Sequence, residues 1–483
     1  MAISLLYSNG ASTQPKIDPP LFSLIRLDTL LSENTQHLLS VHCTAEDIRL
    51  RQAVFARMEA PSFRADLEQF FSSLTALWQA NNKLKDAKNE CEELLGFYTC
   101  ARRFINCTKS AQSVAQALND DRFRDFYAYC QDNLSTAIRL EPAVLKLESP
   151  VKRIRTSLIT FQCNGVWLDD DNEGEGILNK VTGYAANLGL SVSELPKQRC
   201  LAMPHELSES LMFLYPNEFE EIRALAREFA PLNVKDFLRV REELNFFFNI
   251  YELIARAGAR GIPHCIPSVS DSPVFRAKNA YDITLINVSN TDIIPNDIDF
   301  RKEEPFSFLI GANGGGKTTY LRTVCANLIL AGAGCPMFAD NGEIGVFPFI
   351  GAHFPTDETP TGGKLFSEQQ RENELLNLAK NGGFLFFNET FSGANDRKGV
   401  LLTLDCAAAC VKNGIFALFV THFHEVVGHR YPILSTVVET ENDNRRTYRI
   451  TKNPGTKSSY AEDILRKYRL SADTFHLRGV NEQ

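Results

Sequence analysis

The chemistry of this chain is concentrated in Gly311-Ala312-Asn313-Gly314-Gly315-Gly316-Lys317-Thr318. The segment has the form G-x-x-x-x-G-K-[ST]. It follows the apolar run Phe306–Ile310 and precedes a stretch, 319–330, that reads as helix. In that setting the glycines let successive backbone N–H groups turn inward around phosphate oxygens, and the start of the helix adds a favourable dipole. Lys317 is placed to reach the β- and γ-phosphates of ATP and Thr318 to hold Mg²⁺; Thr319 completes the nucleotide-binding set.

Two further apolar runs have the character of buried parallel strands, and each ends in a residue able to act on a phosphate. The first, 384–387, ends in Asn388-Glu389. A carboxylate at such a tip is where a water-activating base belongs, so Glu389 is the expected base. The position before it usually carries Asp. Asn388 can bond metal-bound water but brings no charge, which predicts weaker Mg²⁺ retention or slower turnover. The second run, Phe416–Val420, ends in Thr421-His422, and His422 is read as a γ-phosphate sensor; the neighbouring His424 and His429 lack a carboxylate partner pattern for a metal. Between these elements Gly362-Gly363 opens a charged helix, 365–380, a second candidate phosphate-binding helix start.

These parts need a framework, and the 483 residues are enough for two to four domains with real cores. Residues 1–45, broken by Pro15, Pro19 and Pro20, read as a short irregular arm. From 46 to 265 the pattern is that of a helical core or lever domain with a small insertion at about 150–200. Leu67, Phe70, Phe71, Leu74 and Trp78 fall on one helical face, and the segment 234–257 carries a three-four seam that suits a long helix packed on the first helical region. Inside the insertion, 157–168 is β-rich. Asp169, Asp171, Glu173 and Gly174 start like a calcium loop, but its twelfth position is Lys180, so a solvated turn is expected. From 266 to 483 strands and helices alternate, the signature of an α/β domain.

Composition narrows the functional classes. A net charge of -8 argues against a protein that coats nucleic acid without specificity, though a local basic groove is compatible with it. No apolar run approaches the roughly 18 residues that cross a bilayer, and the first ten residues lack the pattern of a secretory signal. The twelve cysteines form no C-x-x-C pair, which predicts reduced, partly buried thiols in a cytoplasmic protein.

Taken together, these residues resemble the MutS family of ABC-type ATPases. The resemblance covers about 249–470. It includes Arg260-Gly261-Ile262-Pro263, Asp271-Ser272-Pro273-Val274-Phe275 and Ile294-Pro295-Asn296-Asp297 before the glycine-rich loop. Beyond that loop it continues through 363–374, Phe386-Phe387-Asn388-Glu389-Thr390-Phe391-Ser392, Phe419-Val420-Thr421-His422-Phe423-His424-Glu425 and Lys457-Ser458-Ser459-Tyr460. Arg51-Gln52-Ala53-Val54-Phe55 looks like the start of the family's helical core, with 234–257 as its returning lever helix. The resemblance implies a head-to-tail homodimer through the ATPase domains. Each nucleotide would lie between one subunit's loop and the partner's helix start at Gly362 and Gly363, with 392–396 crossing the interface.

The departures from the family pattern are specific. Asn388-Glu389-Thr390 looks like a divergent bacterial branch. The chain has no room for the family's N-terminal domain, whose Phe-x-Glu motif wedges into DNA, and Phe219-Glu220-Glu221 matches its letters by chance. A DNA clamp would have to be the segment 157–198, flanked by Lys152, Arg153 and Arg155. Gly363 stands at the family's signature serine, so the contact to the partner's phosphate is either backbone-only or made by Thr361. With the last matched residues so near Gln483, no fused nuclease domain is expected. The expectation is a multidomain α plus α/β protein, an ATP- and Mg²⁺-dependent dimeric switch acting on DNA in mismatch repair or related DNA metabolism. Its DNA binding should be weak and nearly blind to single mismatches. The alternatives are an ATPase acting on branched DNA or structured RNA, and a nucleotide-gated protein scaffold with little hydrolysis.

Overall fold

The computed structural model describes residues 3–8, 15–161, 205–288, 292–355, 363–439 and 445–452. The chain forms two compact units, one of Met1–Ile3 with Ala60–Glu242 and one of Ser4–Glu59 with Glu243–Gln483. The texture changes in the sequence fall near 45 and 265.

The stretch 1–45, read as an irregular arm, carries two short α-helices among its described residues, and a third begins where the helical pattern of the sequence starts. These are α1 (Leu21–Leu24), α2 (Glu33–Ser40) and α3 (Ala45–Met58). The start of α3 is closed by a capping box in which Thr44 and Asp47 satisfy each other's backbone N–H groups. Asp47 also accepts from the Ser8 amide at 2.7 Å, and these bonds hold its carboxyl below the usual range against the opposing effect of burial.

The smaller unit is helical: α4 (Pro61–Lys85), α5 (Glu90–Leu118), α6 (Arg124–Phe161), α7 (His205–Leu214), α8 (Pro216–Phe229) and the first part of α9 (Lys235–Gly258). Its centre is Phe237 of α9, ringed by Phe70 at 6.1 Å, Phe104 at 6.3 Å and Tyr129 at 4.9 Å, all edge-on. On α4 the buried stripe is Leu67, Phe70, Leu74 and Leu77. Trp78 is not part of it: the residue is 38% exposed and its ring lies under the Arg241 guanidinium, 4.6 Å from the ring centroid. Residues 157–161, read from sequence as strand-forming, are the last turn of α6. The rest of that stretch, with the acidic turn and the candidate clamp, lies outside the described residues.

The larger unit contains two sheets. Strands β1 (Ser268–Val269), β2 (Val274–Ala280), β3 (Asn296–Arg301) and β5 (Asn341–Ile344) make a four-stranded sheet in the order β1-β5-β2-β3. The second sheet is built from β4 (Phe306–Ile310), β6 (Ile350–His353), β7 (Phe384–Asn388), β8 (Phe416–Val420), β9 (Ile433–Glu439) and β10 (Arg445–Lys452). Its order is β10-β9-β4-β8-β7-β6, and only β10 runs antiparallel. Among the described residues, helices α10 (Lys317–Gly332), α11 (Lys364–Ala379) and α12 (Asp396–Lys412) alternate with these strands.

Strands β4, β7 and β8 are buried at every position, which requires cover on both faces. Phe308, Leu385, Phe387, Ala417 and Phe419 form one core cluster with Leu375 and Ala379 of α11 and Cys406 and Cys410 of α12. The alternate residues pack on the other face, where Phe384 meets Phe300 of β3 at 5.0 Å and Phe347 at 5.5 Å. The ten described cysteines are free thiols, nine of them buried. No helix among the described residues is long and apolar enough to cross a membrane.

Where α11 meets α12, Glu372 lies buried against Cys406. Burial pushes its carboxyl up to about 7; a hydrogen bond with Cys406 works against this and the charge of Asp405 adds to it. The folded chain therefore holds a proton that the unfolded chain has already released, and stability falls as pH rises from the ordinary carboxyl range to about 7. Glu372→Gln removes that loss. Relative to the parent it should be more stable by about 1–3 kcal/mol at pH 8, with the gap closing near pH 4.5, as read by denaturant melts at the two pH values.

Candidate functional site

The order of the central strands brings the sequence-predicted residues to one edge. Strand β8 lies between β4 and β7, with Leu309 opposite Val420 and Val420 opposite Asn388. The tips are tied across: the Thr421 amide donates to Leu309 O at 3.0 Å, and the Glu389 amide to Val420 O at 2.8 Å. Three separate segments, 311–318, 388–389 and 421–422, therefore leave the sheet side by side.

The glycine-rich loop runs from the end of β4 into α10. Gly311, Gly314 and Gly316 have φ of 137°, 70° and 95°, a region that costs side chains strain. A Cβ on Gly311 would also lie 2.1 Å from Thr436 Oγ1 of β9, so that position is closed twice over. Gly316 is the N-cap of α10 and offers no side-chain acceptor, and the first turn of the helix carries no acidic residue. The free N–H groups and positive dipole end of α10 are thus left for an anionic guest. Lys317 is buried, and its ammonium donates to Gly311 O at 2.8 Å, Ala312 O at 3.3 Å and Asn313 Oδ1 at 3.3 Å. Burial lowers its pKa, and the negative charge of Glu389 works in the opposite direction, so the two side chains are in electrostatic contact. Thr319 follows in the first turn of the same helix.

Thr318 and Asn388, seventy residues apart, meet: the Thr318 hydroxyl donates to Asn388 Oδ1 at 3.3 Å. A hydroxyl and an amide oxygen beside a carboxylate are hard oxygen groups suited to a divalent cation, and the neighbouring ammonium suits a phosphate. Glu389 is half-buried, with φ of 52°. His422 reaches the same edge and is exposed, its ring 4.2 Å from that of Phe423. Gly363 is the N-cap of α11, its carbonyl accepting from the Phe366 amide at 2.9 Å, and a side chain there would meet open space. Gly362 and Thr361 lie outside the described residues, as do Lys457, Ser458, Ser459 and Tyr460.

Some residues at this edge had no signal in the sequence. Thr436 packs on Gly311 and Gly315, and Tyr448, at φ of 56° on β10, lies 3.3 Å from where a Gly316 Cβ would be. The Tyr448 carbonyl and the Ile450 amide are both held by Asn296, at 3.1 and 2.7 Å. Beyond Glu389, the buried Thr390 hydroxyl pairs with His353 Nδ1 of β6 at 2.8 Å. Burial holds the His353 pKa down at about 4, with Arg371 and Lys364 lowering it further, so its ring is neutral near pH 7.

Comparison with known proteins agrees with this arrangement. Residues 307–460 match the family model MutS domain V, a span that contains the loop and all three strand tips. The chain is 23% identical over 253 residues to the DNA mismatch repair protein MutS of Streptococcus uberis, covering 48% of this chain and 30% of that protein. It is 22% identical over 384 residues to the endonuclease MutS2 of Streptococcus suis, covering 74% and 47%. It is also 22% identical over 390 residues to the DNA mismatch repair protein MutS of Natronomonas pharaonis, covering 75% and 43%. The chain spans less than half the length of these curated relatives. Residues 307–460 thus match MutS domain V, and the similarity to MutS and MutS2 proteins extends past that domain.

Proposed function

We propose that the chain is an ATP-hydrolysing switch that works on DNA as a homodimer. The observation that carries this reading is the Thr318–Asn388 hydrogen bond, which joins the glycine-rich loop to the strand tip bearing Glu389. In this reading the loop amides of 311–316 and the ammonium of Lys317 hold the β- and γ-phosphates, with Thr319 behind them in the first turn of α10. Thr318 would hold Mg²⁺ directly, and Asn388 would do so through the metal's water. When bound, the ion neutralises charge on the phosphates. Glu389 orients and deprotonates the attacking water, its main chain fixed by the amide bond to Val420 O. His422 contacts the γ-phosphate from the neighbouring tip. Gly363, with Gly362, presents the uncapped start of α11 to the nucleotide of a second copy.

The relatives are named for mismatch repair and for endonuclease activity, and action on DNA is the substrate class we carry over. The test is ATP turnover with and without homoduplex, mismatched and branched DNA and structured RNA. Stimulation by DNA supports the reading. Stimulation by RNA alone would move the substrate class, and binding without turnover would make the chain a nucleotide-gated scaffold.

Three substitutions test the site itself. Lys317→Ala should abolish ATP binding, since it removes the ammonium of the phosphate cradle; unchanged affinity by calorimetry would refute the assignment. Glu389→Gln should keep nucleotide affinity, slow hydrolysis by about two to four orders of magnitude, and accumulate an ATP-bound dimer visible by light scattering. Asn388→Asp adds a charge beside Thr318 and should lower the Mg²⁺ concentration needed for half-maximal turnover; an unchanged Mg²⁺ titration would place residue 388 away from the ion.

A further inference from the structure

The turn that carries Glu389 is held in an unusual backbone conformation. Glu389 and Phe391 both sit in the left-handed region, at φ of 52° and 69°, where side chains are disfavoured. Two such residues flank Thr390, and such strain persists only where the surroundings over-determine it. Three restraints are present. The Glu389 amide bonds Val420 O at 2.8 Å. The Phe391 ring is fully buried beside Phe419. Between them, the fully buried Thr390 hydroxyl is pinned to His353 Nδ1 at 2.8 Å.

The first two restraints act through main chain and core packing and would serve many side chains. The third is a specific pair. His353 ends β6, in register with Phe387 of β7, so it reaches the turn from the next strand and not from the turn's own segment. The strand is anchored at its start, where Ile350 exchanges backbone bonds with Lys16 and Asp18 at 2.8 and 2.9 Å and Asp18 pairs with Arg371 of α11.

We propose that His353 is a positioning residue for hydrolysis, fixing through Thr390 the left-handed turn that aims the Glu389 carboxylate. This inference rests on the reading of Glu389 as the base. His353 has no part in holding nucleotide, so its loss acts on turnover and leaves binding alone. Its ring can either donate to or accept from the Thr390 hydroxyl, and either tautomer serves.

The test compares steady-state ATP turnover and nucleotide affinity by calorimetry in His353→Leu, Thr390→Val, the double variant, His353→Asn and His353→Gln, with Glu389→Gln in parallel. Thr390→Val is nearly isosteric and guards against loss of folding at 353. Each single variant should lower kcat about tenfold, about 1.4 kcal/mol, the size of one net hydrogen bond. Nucleotide affinity should be unchanged and the double variant no worse than either single. Asn places a polar atom where Nδ1 stands and should restore most of the rate. Gln, which mimics the far nitrogen, should not. Unchanged kcat in both single variants beside a disabled Glu389→Gln would overturn the inference alone. So would additive losses with no rescue by Asn. A Glu389→Gln protein that turns over at the parent rate would overturn the base assignment and this inference with it.

Discussion

Strands β4, β7 and β8 have no polar face, and the rest of the larger unit is arranged around keeping water from them. Fully burying a Phe or Leu side chain is worth about 1.5–3 kcal/mol, so a strand of five buried residues contributes more than any single polar contact in the molecule. The cost is that both faces need cover. Helices α11 and α12 cover one, and the other is shared with the four-stranded sheet through Phe300 and Phe384. Apart from the buried Ser307 of β4, polar side chains first appear at the strand tips, and there they come together beside Gly311: Asn388 with Glu389, and Thr421 with His422. The site is the place where the apolar constraint stops.

Helix α10 connects that site to the N-terminal segment. Its first residues follow the glycine-rich loop; its far end is held by two buried cations. Lys16 donates to Gly332 O at 2.8 Å and Arg51 to Ala333 O at 3.0 Å, with Arg51 also bonded to Leu6 O and lying over the Tyr7 and Phe246 rings. Burial pulls the Lys16 pKa down to about 8, the nearby Arg51 adding to the effect and Cys43 opposing it. The effective cost of burying such an ion is several kcal/mol. Interaction with a helix C-terminus offers up to about 2 kcal/mol and a charge-assisted hydrogen bond about 1.5–3 kcal/mol. These terms nearly cancel, so the pair contributes little net stability. What the two cations do is tie residues of the N-terminal segment to the two carbonyls at the end of α10.

Charge at the site is balanced on a narrow set of groups. Glu389 is the carboxylate whose field opposes the desolvation of Lys317. Asn388 adds hydrogen-bonding capacity but no charge, so the Thr318 hydroxyl points at a neutral oxygen. A divalent cation held there would meet fewer formal negative charges from the protein, and its affinity would depend more on the phosphates it accompanies.

The local parts of the site were legible in the sequence because each is a short-range pattern. The loop is defined by residues within eight positions, and the buried strands by uninterrupted apolar runs whose observed bounds, Phe384–Asn388 and Phe416–Val420, differ from the reading by at most one residue. The long helix read over 234–257 is likewise found at Lys235–Gly258. Periodicity cannot rank two apolar neighbours, and so it put Trp78 where Leu77 is buried. Nor could propensity detect that 157–161 extends α6, since a helix already 33 residues long carries β-branched residues onward by cooperative hydrogen bonding. What no local pattern contained was decided by strand order. Placing β8 between β4 and β7 brought Thr318 to Asn388, and placing β6 beside β7 brought His353 to Thr390. These pairs join residues seventy and thirty-seven positions apart; neither position carries a mark of its partner, because the sheet's hydrogen bonds are made by backbone atoms that every residue shares.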